Sequence, residues 1–254
     1  MMKKKIVLLT GASKGIGYAT AQAMAKKGYD IILNSRNTSD AVKKLQEFGT
    51  KVEGVDGSLG DDDTVSSLIT KVKEAGQLDA LFLNHGGPPV KPFMDVSDSE
   101  WETYTNIMLH GPLKLLRGLT PMMQKQNSGK VVAITSFTVK NPYQGIILSN
   151  SLRAALVNAL KTAAIELGSD GILINTVAPG YIATQRILDF NQRYAENENI
   201  SKEEVDQRTI NEIPLKKFGM PEDVAGLASY LLSEENRYIT GQNIHVDGGL
   251  ITAN

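Results

Sequence analysis

The segment Leu8–Ala25, LLTGASKGIGYATAQAMA, places three glycines between an apolar run and a helical pattern. Gly11 permits a tight turn, Gly15 lets the backbone approach a pyrophosphate, and Gly17 lets a helix pack closely on a strand. The free N–H groups at the start of that helix would face an anion. The segment therefore predicts a dinucleotide-binding turn. The other residues of this predicted cofactor-binding loop are Ser13, Lys14 and Ile16.

Apolar strand-like runs alternate with helical patterns along the rest of the chain. The candidate strands are KIVLLT, DIILNS, KVEGVD, LDALFLN, KVVAITS, ILINTVAP and NIHVDG. Continuous apolar strands separated by helices are typical of a parallel sheet that is buried on both faces. Because crossovers are right-handed, such a sheet becomes a doubly wound, Rossmann-like α/β fold. We predict one domain over residues 1–254, with about seven strands and helices on both faces.

The segment 181–217 interrupts this alternation, because it is polar, helical in composition and without a strand. Loops of this length in compact domains are usually functional or disordered. We expect a mobile lid over a substrate pocket, and a solvated surface excursion is the alternative. Its arginines could attract an anionic substrate, but we interpret them as solvating a helix face. They are Arg186, Arg193 and Arg208.

Composition excludes several classes of partner. The formal net charge of −1 gives no reason to expect nucleic acid or an anionic membrane as a partner. No apolar run approaches the roughly eighteen residues of a membrane span. The chain has no cysteine, and its three histidines are far apart in sequence, so no metal site is expected. We expect a cytoplasmic protein that acts on a small molecule.

The end of the second candidate strand, IILNSRN, bears on the choice of dinucleotide. An acidic residue there would bind the ribose 2′-hydroxyl of NAD(H) and repel a 2′-phosphate. The sequence has no acid there, and Arg36 together with Lys14 favours NADP(H) over NAD(H). The alternative is that Arg36 is a solvated surface residue. Asp56, which follows the next strand, could accept a hydrogen bond from the adenine amino group.

Several motifs, in order along essentially the whole chain, resemble the short-chain dehydrogenase/reductase family, and in particular its 3-oxoacyl-carrier-protein reductases. TGASKGIG resembles the family's glycine loop, and NHGG at 84–87 stands where the family has Asn-Asn-Ala-Gly. TNIML carries an asparagine and AITS a serine at the family's catalytic positions. NTVAPGYIAT resembles the segment that contacts the nicotinamide. The resemblance implies a Rossmann-like sheet, a small-molecule substrate and a homo-tetramer or homo-dimer.

The resemblance also implies roles for individual residues. It assigns catalysis to Asn106 and Ser136, and Pro179 begins the nicotinamide-contacting segment. The other implied cofactor contacts are Asn84, Gly86, Gly180, Ile182 and Thr184. A purely local role is the alternative for each, such as a helix hydrogen bond for Asn106 or a strand-end cap for Ser136.

The family's tyrosine and the lysine four residues later are absent. In the family the tyrosine supplies the proton, and the lysine lowers its pKa and binds the nicotinamide ribose. Here Ser149 and Arg153 occupy those positions, and the interval of 13 residues from Ser136 to Ser149 is the family's usual one. No tyrosine of the chain is followed by a lysine at that spacing.

This substitution changes the chemistry that the site can perform. A serine hydroxyl is far less acidic than a phenol, and an arginine stays protonated, so neither replaces the tyrosine as acid. Arg153 could still hold the ribose hydroxyls or clamp a carboxylate or phosphate of the substrate. Tyr143, on the loop before the same helix, is our first candidate for the proton donor. The other candidates are Tyr181, Lys140 and His85.

Two functions remain open. The first is an NADP(H)-dependent oxidoreductase that transfers hydride between the nicotinamide and a small carbonyl or alcohol, with a non-standard proton donor. The second is a catalytically silent NADP-binding sensor or scaffold. The retained Asn106 and Ser136 favour the enzyme, whereas Ser149 and Arg153 favour the silent protein. We favour the enzyme.

Overall fold

The seven predicted strands form one parallel sheet in the computed structural model, which describes residues 4–252 apart from the side chains of Arg193 and Asn197. Their order across the sheet is β3-β2-β1-β4-β5-β6-β7. The predicted Rossmann-like fold is thereby confirmed. The strands are β1 (Ile6–Leu9), β2 (Asp30–Ser35), β3 (Val52–Asp56), β4 (Ala80–Leu83), β5 (Gly129–Ile134), β6 (Ile172–Pro179) and β7 (Asn243–Val246).

Helices cover both faces of the sheet. They are α1 (Gly15–Lys26), α2 (Ser39–Gln46), α3 (Asp62–Ala75), α4 (Asp98–Thr105), α5 (Gly111–Gln126), α6 (Ile147–Leu167), α7 (Gln185–Glu198), α8 (Lys202–Glu212) and α9 (Pro221–Leu231). A π-turn, Asn106–His110, joins α4 to α5. No helix in the described part of the chain is long and apolar enough to cross a membrane.

Two apolar layers bury the two faces of the sheet. On one face Met24 of α1 and Leu231 of α9 pack against side chains of β1 and β4. On the other face Leu68 of α3, Leu119 of α5 and Leu156 of α6 form a second cluster. Every residue of β4 is buried, as expected for a central strand of a parallel sheet.

The order of the strands reverses between β1 and β4. From β1 the chain builds the sheet outward to β3, and β4 then returns to the opposite side of β1. A crevice opens at the carboxyl ends of the strands at such a reversal, and it is where ligands bind in this class of fold. Two hydrogen bonds fix its floor. The hydroxyl of Thr10 donates to the Asn84 carbonyl oxygen at 2.8 Å and accepts from the Asn84 N–H at 2.9 Å.

The segment 181–217 is largely helical, as its composition predicted. It contains α7 and α8, which pack on each other. Ser201 caps α8 by accepting a hydrogen bond from the Glu204 N–H at 3.1 Å, and Asn191 of α7 donates to Asp206 of α8 at 2.6 Å. The Asn191–Asp206 bond joins the two helices, so we expect a lid built from them to move as a pair.

The packing of α3 predicts that substitutions on its buried face and on its exposed face differ in their effect on stability. Leu68→Ala should lower the free energy of unfolding by about 2–5 kcal/mol, because this fully buried side chain would leave a cavity. Lys73→Ala, on the exposed face of the same helix, should change it by less than about 0.5 kcal/mol. Urea unfolding followed by circular dichroism measures both. Equal effects would contradict the packing of α3.

Candidate active site

The turn between β1 and α1 needs glycine, because its backbone angles and close contacts disfavour any side chain. Gly11 and Gly15 have φ angles of 57° and 52°, in the left-handed region that favours glycine. A Cβ at Gly17 would lie 2.3 Å from the Gly11 carbonyl oxygen. No side chain caps the start of α1, and no acidic residue lies in its first turn. Its N–H groups therefore suit the pyrophosphate of a dinucleotide.

The predicted adenosine end lies beside this turn. The Ser13 and Ser35 hydroxyls are 2.7 Å apart. Oδ1 of Asp56 accepts hydrogen bonds from the Thr38 N–H at 2.9 Å and the Thr38 hydroxyl at 2.7 Å, which leaves Oδ2 for the predicted adenine contact. Arg36 is exposed and makes no ion pair with any described residue, so its guanidinium is available to a ligand.

The predicted nicotinamide segment reaches the same crevice. A Cβ at Gly15 would lie 3.3 Å from the methyl carbon of Thr184, so the end of this segment touches the glycine turn. The Gly180 N–H donates to the Val246 carbonyl at 3.0 Å, and Pro179 ends β6. Ile182 is buried and bridges to Gly219. Gly86, in the loop after β4, has open space where a side chain would be.

Two serine hydroxyls lie near the carboxyl end of β5. Oγ of Ser136 accepts hydrogen bonds from the N–H and the hydroxyl of Thr138, at 3.2 and 3.0 Å. Oγ of Ser149 accepts one from Nε of Arg153 at 3.2 Å. Since both oxygens act as acceptors here, both hydroxyl hydrogens stay available to a further acceptor, such as a substrate oxygen.

Arg153 is anchored between α6 and the sheet. Its Nη1 donates to the Ile134 carbonyl at 2.9 Å, at the end of β5. Burial and the nearby Arg186 lower the pKa of Arg153 to about 10, which still leaves it charged near neutrality. The group at the family's lysine position is therefore a fixed cation that also orients Ser149.

His85 is a neutral imidazole. Burial and the charges of Arg153 and Arg186 lower its pKa from 6.5 to about 3. Its Nδ1 lies 2.8 Å from the Gly86 carbonyl oxygen, so in the neutral ring Nδ1 donates and Nε2 carries a lone pair. That Nε2 is buried without a hydrogen-bond partner.

Arg186 has a contact that our interpretation did not include. We expected it to solvate a helix face, and the residue is exposed, but its Nη2 also donates to the Pro88 carbonyl at 2.7 Å. The guanidinium lies directly on Gly87, where a Cβ would be 2.4 Å from the Cζ atom of Arg186. The helical pattern of α7 cannot reveal which loop lies beneath the helix. Arg208 does sit on a solvated face, paired with Glu204, and the side chain of Arg193 lies outside the described residues.

The remaining candidates have distinct surroundings. Asn106 is exposed, and its Oδ1 lies 3.1 Å from Nδ1 of His110, so the local hydrogen bond weighed above is present. The ring of Tyr181 packs against that of Phe137, tilted by 51° and with the ring centroids 5.3 Å apart, and burial and Glu212 raise the pKa of Tyr181. Tyr143 is half exposed, and burial, Glu212 and Tyr194 raise its pKa too.

Comparison with known proteins places this arrangement in a family. A family model described as enoyl-(acyl carrier protein) reductase matches residues 11–251. The chain belongs to the short-chain dehydrogenase/reductase family. It is 31% identical, over 97% of its length and 98% of the relative's, to the 3-oxoacyl-[acyl-carrier-protein] reductase FabG of Staphylococcus epidermidis.

Solved structures of short-chain reductases superpose closely on the chain. YwfH, an NADPH-dependent reductase involved in bacilysin biosynthesis, gives a TM-score of 0.93 at 27% identity, covering 99% of this chain and 100% of its own. L-Sorbose reductase of Gluconobacter frateurii, complexed with NADPH and L-sorbose, gives 0.94 at 29% identity, covering 99% and 98%. The chain is thus an NAD(P)-dependent oxidoreductase of the short-chain dehydrogenase/reductase family, as its motifs predicted.

His85 gives this short-chain reductase a defined pH dependence. Between pH 6.5 and about 3 the unfolded imidazole binds a proton that the folded one does not. The free energy of unfolding should therefore fall as the pH drops through this range. In His85→Asn, which restores the family's asparagine, this contribution should vanish and the dependence should be shallower. Urea unfolding at several pH values compares the two proteins, and equal slopes would contradict a buried neutral His85.

Proposed function

We propose that the protein is an NADP(H)-dependent reductase of a small carbonyl compound, in which the Ser149–Arg153 pair replaces the family's tyrosine and lysine. One observation carries this proposal. The Ser136 and Ser149 hydroxyls both keep a hydrogen to donate, and Arg153 holds a positive charge against Ser149. This arrangement suits an oxygen atom that gains negative charge during the reaction.

Residues of the crevice would hold the cofactor along its length. The N–H groups at the start of α1 suit the pyrophosphate, and Arg36 with Lys14 suits a 2′-phosphate. The NADPH dependence of YwfH and the NADPH bound to sorbose reductase support the same preference. We assign the nicotinamide end to Asn84, Gly86, Arg153, Pro179, Gly180, Ile182 and Thr184.

When bound, NADPH supplies the hydride. Ser136 and Ser149 would donate hydrogen bonds to the carbonyl oxygen, and Arg153 would stabilise the alkoxide charge on it. Asn106 would support the site from the π-turn, a distortion that is frequent at functional sites. A fixed arginine pairs more rigidly with an oxyanion than a flexible lysine does.

The proton would come from the Tyr143 hydroxyl. The phenol is protonated at neutral pH, as a proton donor must be, and because burial, Glu212 and Tyr194 raise its pKa it is a weaker acid than the family's lysine-paired tyrosine. His85 is a poor alternative, because a pKa of about 3 leaves it without a second proton near neutrality. Tyr181 is engaged by Glu212, which leaves Tyr143 the more available phenol.

A catalytically silent NADP-binding protein is the second candidate function. It is favoured by the absence of a tyrosine that is followed four residues later by a lysine. For either function we keep a homo-tetramer or homo-dimer as a prediction.

The first prediction of this proposal concerns the cofactor. Arg36→Ala should weaken NADPH binding at least tenfold and change NADH binding by less than threefold, because only NADPH carries the 2′-phosphate. Titration of cofactor fluorescence measures both constants. Arg117→Ala is the matched control, since this exposed arginine lies on α5, outside the proposed site. Equal losses for the two cofactors would refute the 2′-phosphate contact.

The second prediction concerns turnover. The purified protein should oxidise NADPH in the presence of at least one compound among ketones, 3-oxoacyl thioesters, sugars, quinones and imines. With a ketone substrate, Tyr143→Phe should lower kcat at least tenfold and leave NADPH binding unchanged. Tyr238→Phe, at a fully exposed phenol, should have wild-type kcat. Bound NADPH without turnover on any compound would favour the silent protein.

A further inference from the structure

Two arginines and a histidine from three separate elements converge near the carboxyl end of the sheet. Arg153 comes from α6, Arg186 from α7 and His85 from the loop after β4. Arg186 lies on the loop that carries His85, since its Nη2 donates to the Pro88 carbonyl oxygen at 2.7 Å and its guanidinium lies against Gly87. It is also close enough to lower the pKa of Arg153, and both arginines lower the pKa of His85. The three residues lie far apart in the sequence, and the fold makes them one cluster.

This cluster lacks a counter-charge. Within residues 4–252, no carboxylate pairs with the guanidinium of Arg153 or Arg186. Their hydrogen bonds go to neutral acceptors, namely the Ile134 and Pro88 carbonyl oxygens and the Ser149 hydroxyl. A guanidinium has five N–H donors, so most of these donors remain for a ligand. Arg153 is half-buried and Arg186 is exposed. Two neighbouring cations repel each other, and a bound anion would relieve that repulsion.

The His85 ring supplies a second, independent observation. Its Nε2 atom is buried and has no hydrogen-bond partner, whereas Nδ1 is engaged by the Gly86 carbonyl. A buried polar atom without a partner is costly, and such atoms occur where a ligand or water completes the site. The neutral ring also adds no third positive charge beside the two arginines. The Nε2 lone pair can only accept, so it suits an N–H or O–H group of a ligand, and the positive charge for an anion comes from the two arginines.

The cluster lies beside Ser149, the serine that we assigned to the carbonyl group of the substrate. Arg153 donates to the Ser149 hydroxyl, to which we assigned the carbonyl oxygen of the substrate. An anionic group bound by the free N–H groups of Arg153 would therefore lie close to that carbonyl, so both groups can belong to one small substrate molecule. The planar guanidinium fork matches a carboxylate or a phosphate, which share this chemistry.

We propose that Arg153 and Arg186, beside His85, form an oxyanion subsite, and that the substrate carries a carboxylate next to the group that is reduced. The reaction in this proposal rests on the proposed function, whereas the subsite can be tested by ligand binding alone. Small 2-oxo acids have this arrangement of groups. A phosphate at the same position would be bound by the same arginines.

Matched small probes test the subsite in the NADPH-saturated protein. Oxamate resembles a 2-oxo acid but is not readily reduced, and oxamide is its neutral counterpart. Isothermal titration calorimetry should show oxamate binding at least tenfold more tightly than oxamide. Arg186→Gln should weaken oxamate binding at least tenfold and leave oxamide binding unchanged. Because Arg153 also orients Ser149, Arg153→Gln should weaken the binding of both probes and lower the ratio of oxamate to oxamide affinity at least tenfold. Arg208→Gln is the control, because its partner is Glu204 on the exposed face of α8.

The outcomes separate this proposal from the proposed function. Equal affinities for oxamate and oxamide, or oxamate binding that ignores both substitutions, would overturn the subsite even if the protein turns over carbonyl compounds. Arginine-dependent oxamate binding without any turnover would support the subsite and contradict the reductase. Inorganic phosphate is the third probe. If it binds more tightly than oxamate with the same arginine dependence, the oxyanion subsite holds and its ligand is a phosphate.

Arg186→Gln tests the subsite even if Arg153→Gln does not fold. Arg186 lies at the start of α7 with part of its side chain in solvent, so its replacement removes little packing. Arg186→Lys adds a finer comparison. It keeps the charge but loses the fork, so oxamate binding should fall between the wild-type protein and Arg186→Gln.

Discussion

The Asn84 side chain donates a hydrogen bond to the Gly11 carbonyl oxygen at 2.9 Å and so joins the loop after β4 to the turn after β1. The contact requires Gly17, since a Cβ there would come 3.0 Å from the Asn84 amide nitrogen as well as 2.3 Å from the Gly11 oxygen. Because this loop continues into His85, the same contact that shapes the pyrophosphate turn also positions the imidazole beside Arg153. The cofactor end and the substrate end of the crevice are therefore set by one junction.

Because serine and arginine replace the family's tyrosine and lysine, the site can stabilise negative charge but has no lysine beside a tyrosine to make the phenol more acidic. A lysine beside a tyrosine makes the phenol more acidic, whereas Arg153 beside Ser149 orients a hydroxyl that has little acidity of its own. The pair can stabilise a developing negative charge, but another group must supply the proton. The same guanidinium, together with Arg186, adds a positive potential that a neutral ketone would not use. Proton donation and anion binding thus become separate tasks of different residues.

Local patterns predicted the fold, because seven apolar runs and the glycine spacing are properties of short segments. The glycine turn, Arg36 and the Ser149–Arg153 replacement were likewise visible in the sequence. The role of Arg186 was not, since its partner Pro88 lies 98 residues away and only the packing of α7 brings them together. The depressed pKa of His85 was hidden for the same reason, because it arises from burial in the folded protein and from the charges of Arg153 and Arg186 on two helices. The π-turn at Asn106 has no periodic signal that distinguishes it from an ordinary helix.

The most direct test of hydride transfer at this atypical site uses NADPH deuterated at C4 of the nicotinamide on the transferred face. A stoichiometric amount is mixed with the protein and each of a set of 2-oxo acids and neutral ketones, and the products are analysed by mass spectrometry. The account predicts a hydroxy product one mass unit heavier than with unlabelled NADPH, formed faster from 2-oxo acids than from neutral ketones. If the cofactor is bound and no compound acquires deuterium, the claim that Ser149 and Arg153 support catalysis is contradicted.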